Sequence, residues 1–110
     1  MRVRFKVWLE KEGEPIISEG KYRLLKEIER TGSILRASKN LGLTYKRAFS
    51  QIKAMEERLG ERILERKRGK GARLTEKGKD LIKRYEEILR RVSEAVRIAE
   101  RNIQTQGGPS

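Results

Sequence analysis

Two apolar stripes of helical period, separated by a single turn at Gly42, constrain this chain more than any other feature. Ile34, Ala37, Ser38 and Leu41 fall on one face of a short helix, with Ser33 where its N-cap belongs. Ala48, Ile52, Met55 and Leu59 recur at intervals of four, three and four. They form the inward face of a second helix that opens at Thr44 and stops at Gly60. Phe49 is expected to widen that inward stripe, and the small Ala37 and Ser38 would let a neighbouring helix approach closely. Two helices joined by so short a turn read as a helix-turn-helix.

The segment after this pair of helices narrows the fold further. Arg62 to Arg66 is strand-like, Lys67 to Gly71 is a basic turn with two glycines, and Ala72 to Leu74 returns. This is a small hairpin, the wing of a winged helix. Thr75 then caps a long helix, expected from Glu76 to Asn102, with Glu76 favouring the positive end of its dipole. Leu81, Tyr85, Ile88, Val92, Ala95 and Ala99 form a heptad seam along it. Ile82, Leu89, Val96 and Ile103 add a second line, more apolar surface than one small domain needs. A second copy of the same helix is the simplest cover, so the chain is expected to be a homodimer.

Upstream, Val3 to Leu9 alternates apolar and charged residues, the period of a half-buried strand. Gly13 to Pro15 marks a turn, and Ile16 and Ile17 begin a return strand. Trp8 falls opposite Phe5 and Val7 and is expected to pack on a neighbouring helix or a partner chain. A helix from about Ser18 to Arg30 carries Tyr22, Leu24, Leu25 and Ile28, and Gly32 would stop it. The expected fold is mainly α with small β parts: a winged helix-turn-helix with an N-terminal β-hairpin and a long C-terminal dimerisation helix. Residues 1–75 would form the winged domain, 76–103 the long helix, and 104–110 a polar, disordered tail.

Charge says what such a module could meet. The chain of 110 residues has a formal net charge of +12. Residues 33–73 hold twelve Lys and Arg against four Glu, whereas residues 1–20 are balanced. A surplus concentrated on one module suits a polyanion. The absence of Cys and His removes disulfides, the usual zinc ligand and the commonest general base. No Gly-rich phosphate loop of Walker spacing is present, and the carboxylates are scattered among Lys and Arg. The expectation is therefore no enzyme, no metal and no cofactor. No apolar run approaches the ~20 residues of a membrane span, and no signal peptide opens the chain. A cytoplasmic protein is expected, and the Lys/Glu/Arg richness without Cys also suits a thermophile.

The residues expected against the DNA major groove are Tyr45, Lys46, Arg47, Ser50 and Lys53. Arg and Lys match the guanine acceptors, and Ser and Tyr serve bases or phosphates. Thr44 and Ser33, at helix starts, are expected near phosphates. Arg66, Lys67, Arg68, Lys70 and Arg73 would reach the backbone or the minor groove, with Gly69 and Gly71 permitting the tight turn. Acidic and basic residues on the last helix read as a solvated face.

At these positions the chain resembles the N-terminal winged-helix domain of the molybdate-responsive, ModE-like transcriptional regulators, and more distantly the DNA-binding domain of LysR-type regulators. The matching residues are Thr31-Gly32-Ser33-Ile34, Ala37, Gly42, Tyr45-Lys46, Ala48, Met55 and Arg66. The segment Gly69 to Thr75, followed by Gly78, matches best, and Leu59-Gly60, Leu64 and Arg66 suit the LysR pattern. The resemblance covers about residues 18–90. It implies double-stranded DNA as partner and dimerisation. It does not imply molybdate sensing, which in those regulators belongs to a separate C-terminal domain not expected in this chain. A sequence-specific transcriptional regulator is the leading expectation. A non-specific architectural DNA- or RNA-binding protein, or an adaptor docking through its long helix, remain alternatives.

Overall fold

A computed structural model describes residues 1–66, 68, 69 and 71–106, the last two by backbone alone. Two strands, β1 (Leu9–Lys11) and β2 (Glu14–Ile17), precede three helices, α1 (Glu19–Thr31), α2 (Ile34–Asn40) and α3 (Tyr45–Leu59). Strands β3 (Leu64–Arg66) and β4 (Ala72–Leu74) come next, then the long α4 (Glu76–Gln106). Each strand pair is an antiparallel two-stranded sheet. In the wing, Leu64 faces Leu74 and Arg66 faces Ala72.

The stripes read from the sequence form the core. Leu24, Leu25 and Ile28 of α1, Ile34 and Ala37 of α2, and Ala48, Ile52 and Met55 of α3 are buried together with Ile63, Leu64 and Leu74. Hydroxyl caps open three of the helices. Ser33 accepts from the Arg36 N–H, Thr44 from that of Arg47 and Thr75 from that of Gly78, each at 3.1 Å. Buried Ser38 donates its hydroxyl to the Leu35 carbonyl at 2.7 Å, so burying it costs little. At the end of α1, the Glu27 carboxylate accepts from Arg30 and from Asn40 of α2. The Arg30 hydrogen bonds, and then that of Asn40, hold Glu27 down at about 2.

The wing is fastened at both ends. Gly32 ends α1 at φ +70°, and its carbonyl accepts the Ala72 N–H at 2.9 Å. That approach leaves no room on Gly71, where a Cβ would lie 2.3 Å from the Gly32 oxygen. At the other end Glu56 of α3 accepts from the Ile63 N–H at 2.9 Å. The Ile63 carbonyl accepts from the Thr75 N–H at 3.0 Å, and Thr75 donates its hydroxyl to the Arg62 carbonyl at 2.7 Å. Gly78, one turn into α4, lies so close that a Cβ there would meet the Ile63 oxygen at 2.3 Å.

Three expectations are corrected. The N-terminal strand does not run from Val3 to Leu9, because pairing begins at Leu9, opposite Ile17. The return strand has four residues and gives way to α1, so residues 3–8 have no strand to pair with. They lie along α4 instead: Tyr85 donates its hydroxyl to the Val7 carbonyl at 2.9 Å, and the Val3 N–H donates to Glu100 at 2.8 Å. Val3 and Val7 are half-buried there, which accounts for part of the alternation, whereas Phe5 is exposed. Trp8 is half-exposed and donates its indole N–H to Glu10, beside Ile88 on a surface groove. The second correction concerns the seam. Leu81 and Tyr85 lie with Ile82 in this chain's own core, because the Thr75 cap lays the first turns of α4 against the domain. The core thus continues past residue 75. Third, the helix runs to Gln106, into the segment expected as a tail, since no Gly or Pro occurs between Gly78 and residue 107.

Two measurements check this packing. Ala normally favours a helix interior over Gly by about 1 kcal/mol. Gly78→Ala should instead destabilise the fold by about 1–3 kcal/mol in urea unfolding, because the Ile63 backbone cannot yield as a side chain would. The second check is alkaline. Burial, and then the hydrogen bond to Glu86 at 2.5 Å, push the Tyr22 hydroxyl up to about 12 from its ordinary 10.0. A raised folded value means that the stabilisation is complete below pH 10 and is lost as pH climbs to 12. Melting temperatures across that window should fall less steeply for Tyr22→Phe than for the parent chain.

Candidate nucleic-acid interface

The face of α3 opposite Ala48, Ile52 and Met55 is exposed, and it carries Tyr45, Lys46, Arg47, Ser50 and Lys53, with Thr44 at its start. Helical geometry alone puts these side chains together, since the inward stripe leaves them no other direction. On the wing, Arg66, Arg68 and Arg73 are exposed as well. Lys67 and Lys70 lie outside the described residues. Arg73 pairs with Glu65 at 3.2 Å across the hairpin, so part of its charge is met within the chain. Ser33 is half-buried, and its hydroxyl caps α2.

Lys46, Arg47, Lys53, Arg66 and Arg68 have no carboxylate partner among the described residues. On α4 several acids and bases satisfy one another: Arg84 pairs with Asp80, Arg90 and Arg91 with Glu87, and Arg97 with Glu94. Arg90 and then Arg91 hold Glu87 below the usual carboxylate range. A cluster of uncompensated charge therefore lies on α3 and the wing, in addition to single cations elsewhere, such as Arg36, Lys39 and Lys83, that form no ion pair among the described residues. A partner that neutralises it must be anionic.

Between the starts of α2 and α3 and the wing runs an open cleft of about 430 Å³, lined by Ser33, Leu35, Tyr45, Arg66, Arg68 and Gly71 among others. A second cleft, about 510 Å³, is lined by Arg62, Glu65, Arg66, Arg73 and Thr75. Arg66 lines both. Its guanidinium donates to the Tyr45 hydroxyl at 2.6 Å and lies 4.7 Å from the centre of the Phe49 ring. Tyr45 and Phe49 stack with ring centres 6.1 Å apart and planes 13° apart. Lys53 approaches the same Phe49 ring at 5.9 Å.

Phe49 corrects the sequence reading. It does not widen the core stripe but lies half-buried at its edge, between α3 and the wing. The available signal was the run Tyr45, Phe49, Lys53, spaced by four, which lines up side chains along one helix edge. Its partner Arg66 could not be foreseen, because that contact depends on how the wing folds back. Arg62, on the second cleft, was likewise not singled out.

The comparisons with known proteins agree with this geometry. The molybdenum transport protein ModE of Azotobacter vinelandii is 35% identical over 97 residues, which cover 84% of this chain and 36% of that protein. The transcriptional regulator ModE of Haemophilus influenzae is 38% identical over 82 residues, covering 71% of this chain and 32% of that protein. The chain thus spans about a third of the length of these relatives. Among solved structures, the CbnR DBD–DNA complex matches with a TM-score of 0.64 at 21% identity, covering 77% of this chain and 97% of that one. The BenM DBD complex with benA site 1 DNA matches with a TM-score of 0.61 at 23% identity, covering 74% and 94%. These likenesses establish the winged helix-turn-helix fold. Residues 20–79 match the family model of the bacterial regulatory helix-turn-helix proteins of the lysR family, and the chain belongs to that family.

Proposed function

We propose that this chain is the DNA-reading part of a transcriptional regulator, acting on double-stranded DNA with sequence preference. The observation that carries the reading is the set of uncompensated cations on the exposed edge of α3 and on the wing, beside Tyr45 and Ser50. Lys46, Arg47, Ser50 and Lys53 address base edges in the major groove, where Arg and Lys match the guanine acceptors. Thr44, with the N–H groups of the first turn of α3, meets a phosphate. Arg66, Lys67, Arg68, Lys70 and Arg73 follow the backbone or the minor groove. The relatives named as transcriptional regulators, and the fold neighbours solved with DNA, support the assignment. DNA as partner makes the cytoplasm the working compartment.

The same reading makes the chain a homodimer. With Leu81 and Tyr85 in the core, the seam left for a partner starts at Ile88 and continues through Val92, Ala95 and Ala99. Ile98 and Ile103, 44% and 37% exposed, flank it. An apolar line of this length on a helix that leaves its domain is unfavourable in water and fits a second copy.

Selection from a randomised duplex library at ~150 mM salt should enrich a palindrome, with half-site centres about 34 Å apart or a multiple of that. If the dimer neutralises ~8 phosphates, log K should fall with log salt at a slope of roughly −7. Equal affinity for unrelated duplexes would replace this reading with that of an architectural binder, which the +12 charge would also serve. Sedimentation at micromolar concentration should show a dimer for the parent chain. Ala95→Glu should sediment as a monomer with its helix content intact, since a carboxylate there is harmless in water but costly in a closed seam.

A further inference from the structure

Arg66 is held in a way that the other unpaired cations of the wing are not. Its guanidinium rests against the Phe49 ring and donates to the Tyr45 hydroxyl, and both aromatic residues belong to α3. A flat, weakly hydrated guanidinium suits such a site, whereas an ammonium would keep the charge and lose the stack. Tyr45 accepts in this bond and retains a hydroxyl proton with which to donate. Arg66 belongs to β3, yet its position is set by the recognition helix.

Resting on the DNA reading above, we infer that Phe49 and Tyr45 are positioning residues for Arg66, forming an aromatic platform that presents its guanidinium to one DNA phosphate. Three features support a phosphate as the target. The two clefts beside Arg66 are open and lined by further Arg side chains. The guanidinium has no carboxylate partner among the described residues. Its planar donor fork remains suited to two oxygens of one anion. The platform also fixes the distance between a wing cation and the base-reading edge of α3. A register error at the bases would then misplace the phosphate contact too, so the platform deepens sequence preference without touching a base.

A double-mutant cycle on the full chain tests this, with binding to the selected duplex read by fluorescence anisotropy. Phe49→Leu should weaken binding about 3- to 30-fold, the span of one cation–aromatic contact, and Tyr45→Phe about 2- to 10-fold, that of one hydrogen bond. In an Arg66→Ala background the same changes should each matter less than about twofold. Phe49→Trp should retain the parent affinity, and Arg66→Lys should lose as much as Phe49→Leu. Tyr45→Phe removes a single oxygen, so it reports on pinning even if Phe49→Leu disturbs folding. Equal losses in the parent and Arg66→Ala backgrounds would overturn the platform while leaving the DNA reading intact. A parent chain that binds no duplex at ~50 mM salt would overturn both.

Discussion

The Ile63 carbonyl is the joint on which this structure turns. It accepts the Thr75 N–H and stands where a side chain on Gly78 would have to go. Glu56 of α3 holds the amide side of the same residue. The end of the third helix, the root of the wing and the start of the long helix therefore meet at one residue. On the carbonyl side backbone groups make the joint, and they have less freedom to shift than side chains. Such a junction aims both the wing and α4 relative to the face of α3.

Around that joint the charges separate into two kinds. Several acids and bases on α4 pair with one another at spacings of three and four, and Arg90 and Arg91 hold Glu87 ionised. Pairs so exposed contribute little to stability, and their consequence is to leave the helix without a strong field. On α3 and the wing, Lys46, Arg47, Lys53, Arg66 and Arg68 stand without carboxylates among the described residues, Arg73 keeps Glu65, and aromatic rings order Arg66. A surface whose charges satisfy one another suits a copy of the same chain. A surface with an excess of one sign of charge needs an opposite partner. The fold thus presents two different faces at its two ends.

Much of this was legible in the residues, and the failures have definite causes. Helix stripes, caps and the glycine stop at Gly32 depend on neighbours three or four positions away, so Leu25 and Ile28, Ala48 and Ile52, and Ser33 and Thr44 took their expected places. The wing hairpin was legible from its two glycines and flanking apolar residues. The N-terminal strand was not, because alternation reports a half-buried extended segment without saying what buries it. Val3 and Val7 alternate against a helix rather than against a strand. Leu81 and Tyr85 show the same ambiguity: a heptad line looks alike whether its first turns meet the chain's own domain or another molecule. Phe49 failed for a third reason. Periodicity placed it at the edge of the apolar stripe, and only the returning wing decides what sits on an edge.

The length of α4 turns the joint at Ile63 into a lever. At ~1.5 Å per residue, its 31 residues span about 46 Å. A tilt of about 10° at the joint would move the far end by about 8 Å, a sizeable fraction of one ~34 Å helical turn of DNA. In an assembly held together along that helix, sub-ångström changes in backbone packing at Gly78 would be magnified into changes in the separation of two DNA-facing heads. In such an assembly the rigidity of one glycine contact would act as a ruler for the spacing between its two ends.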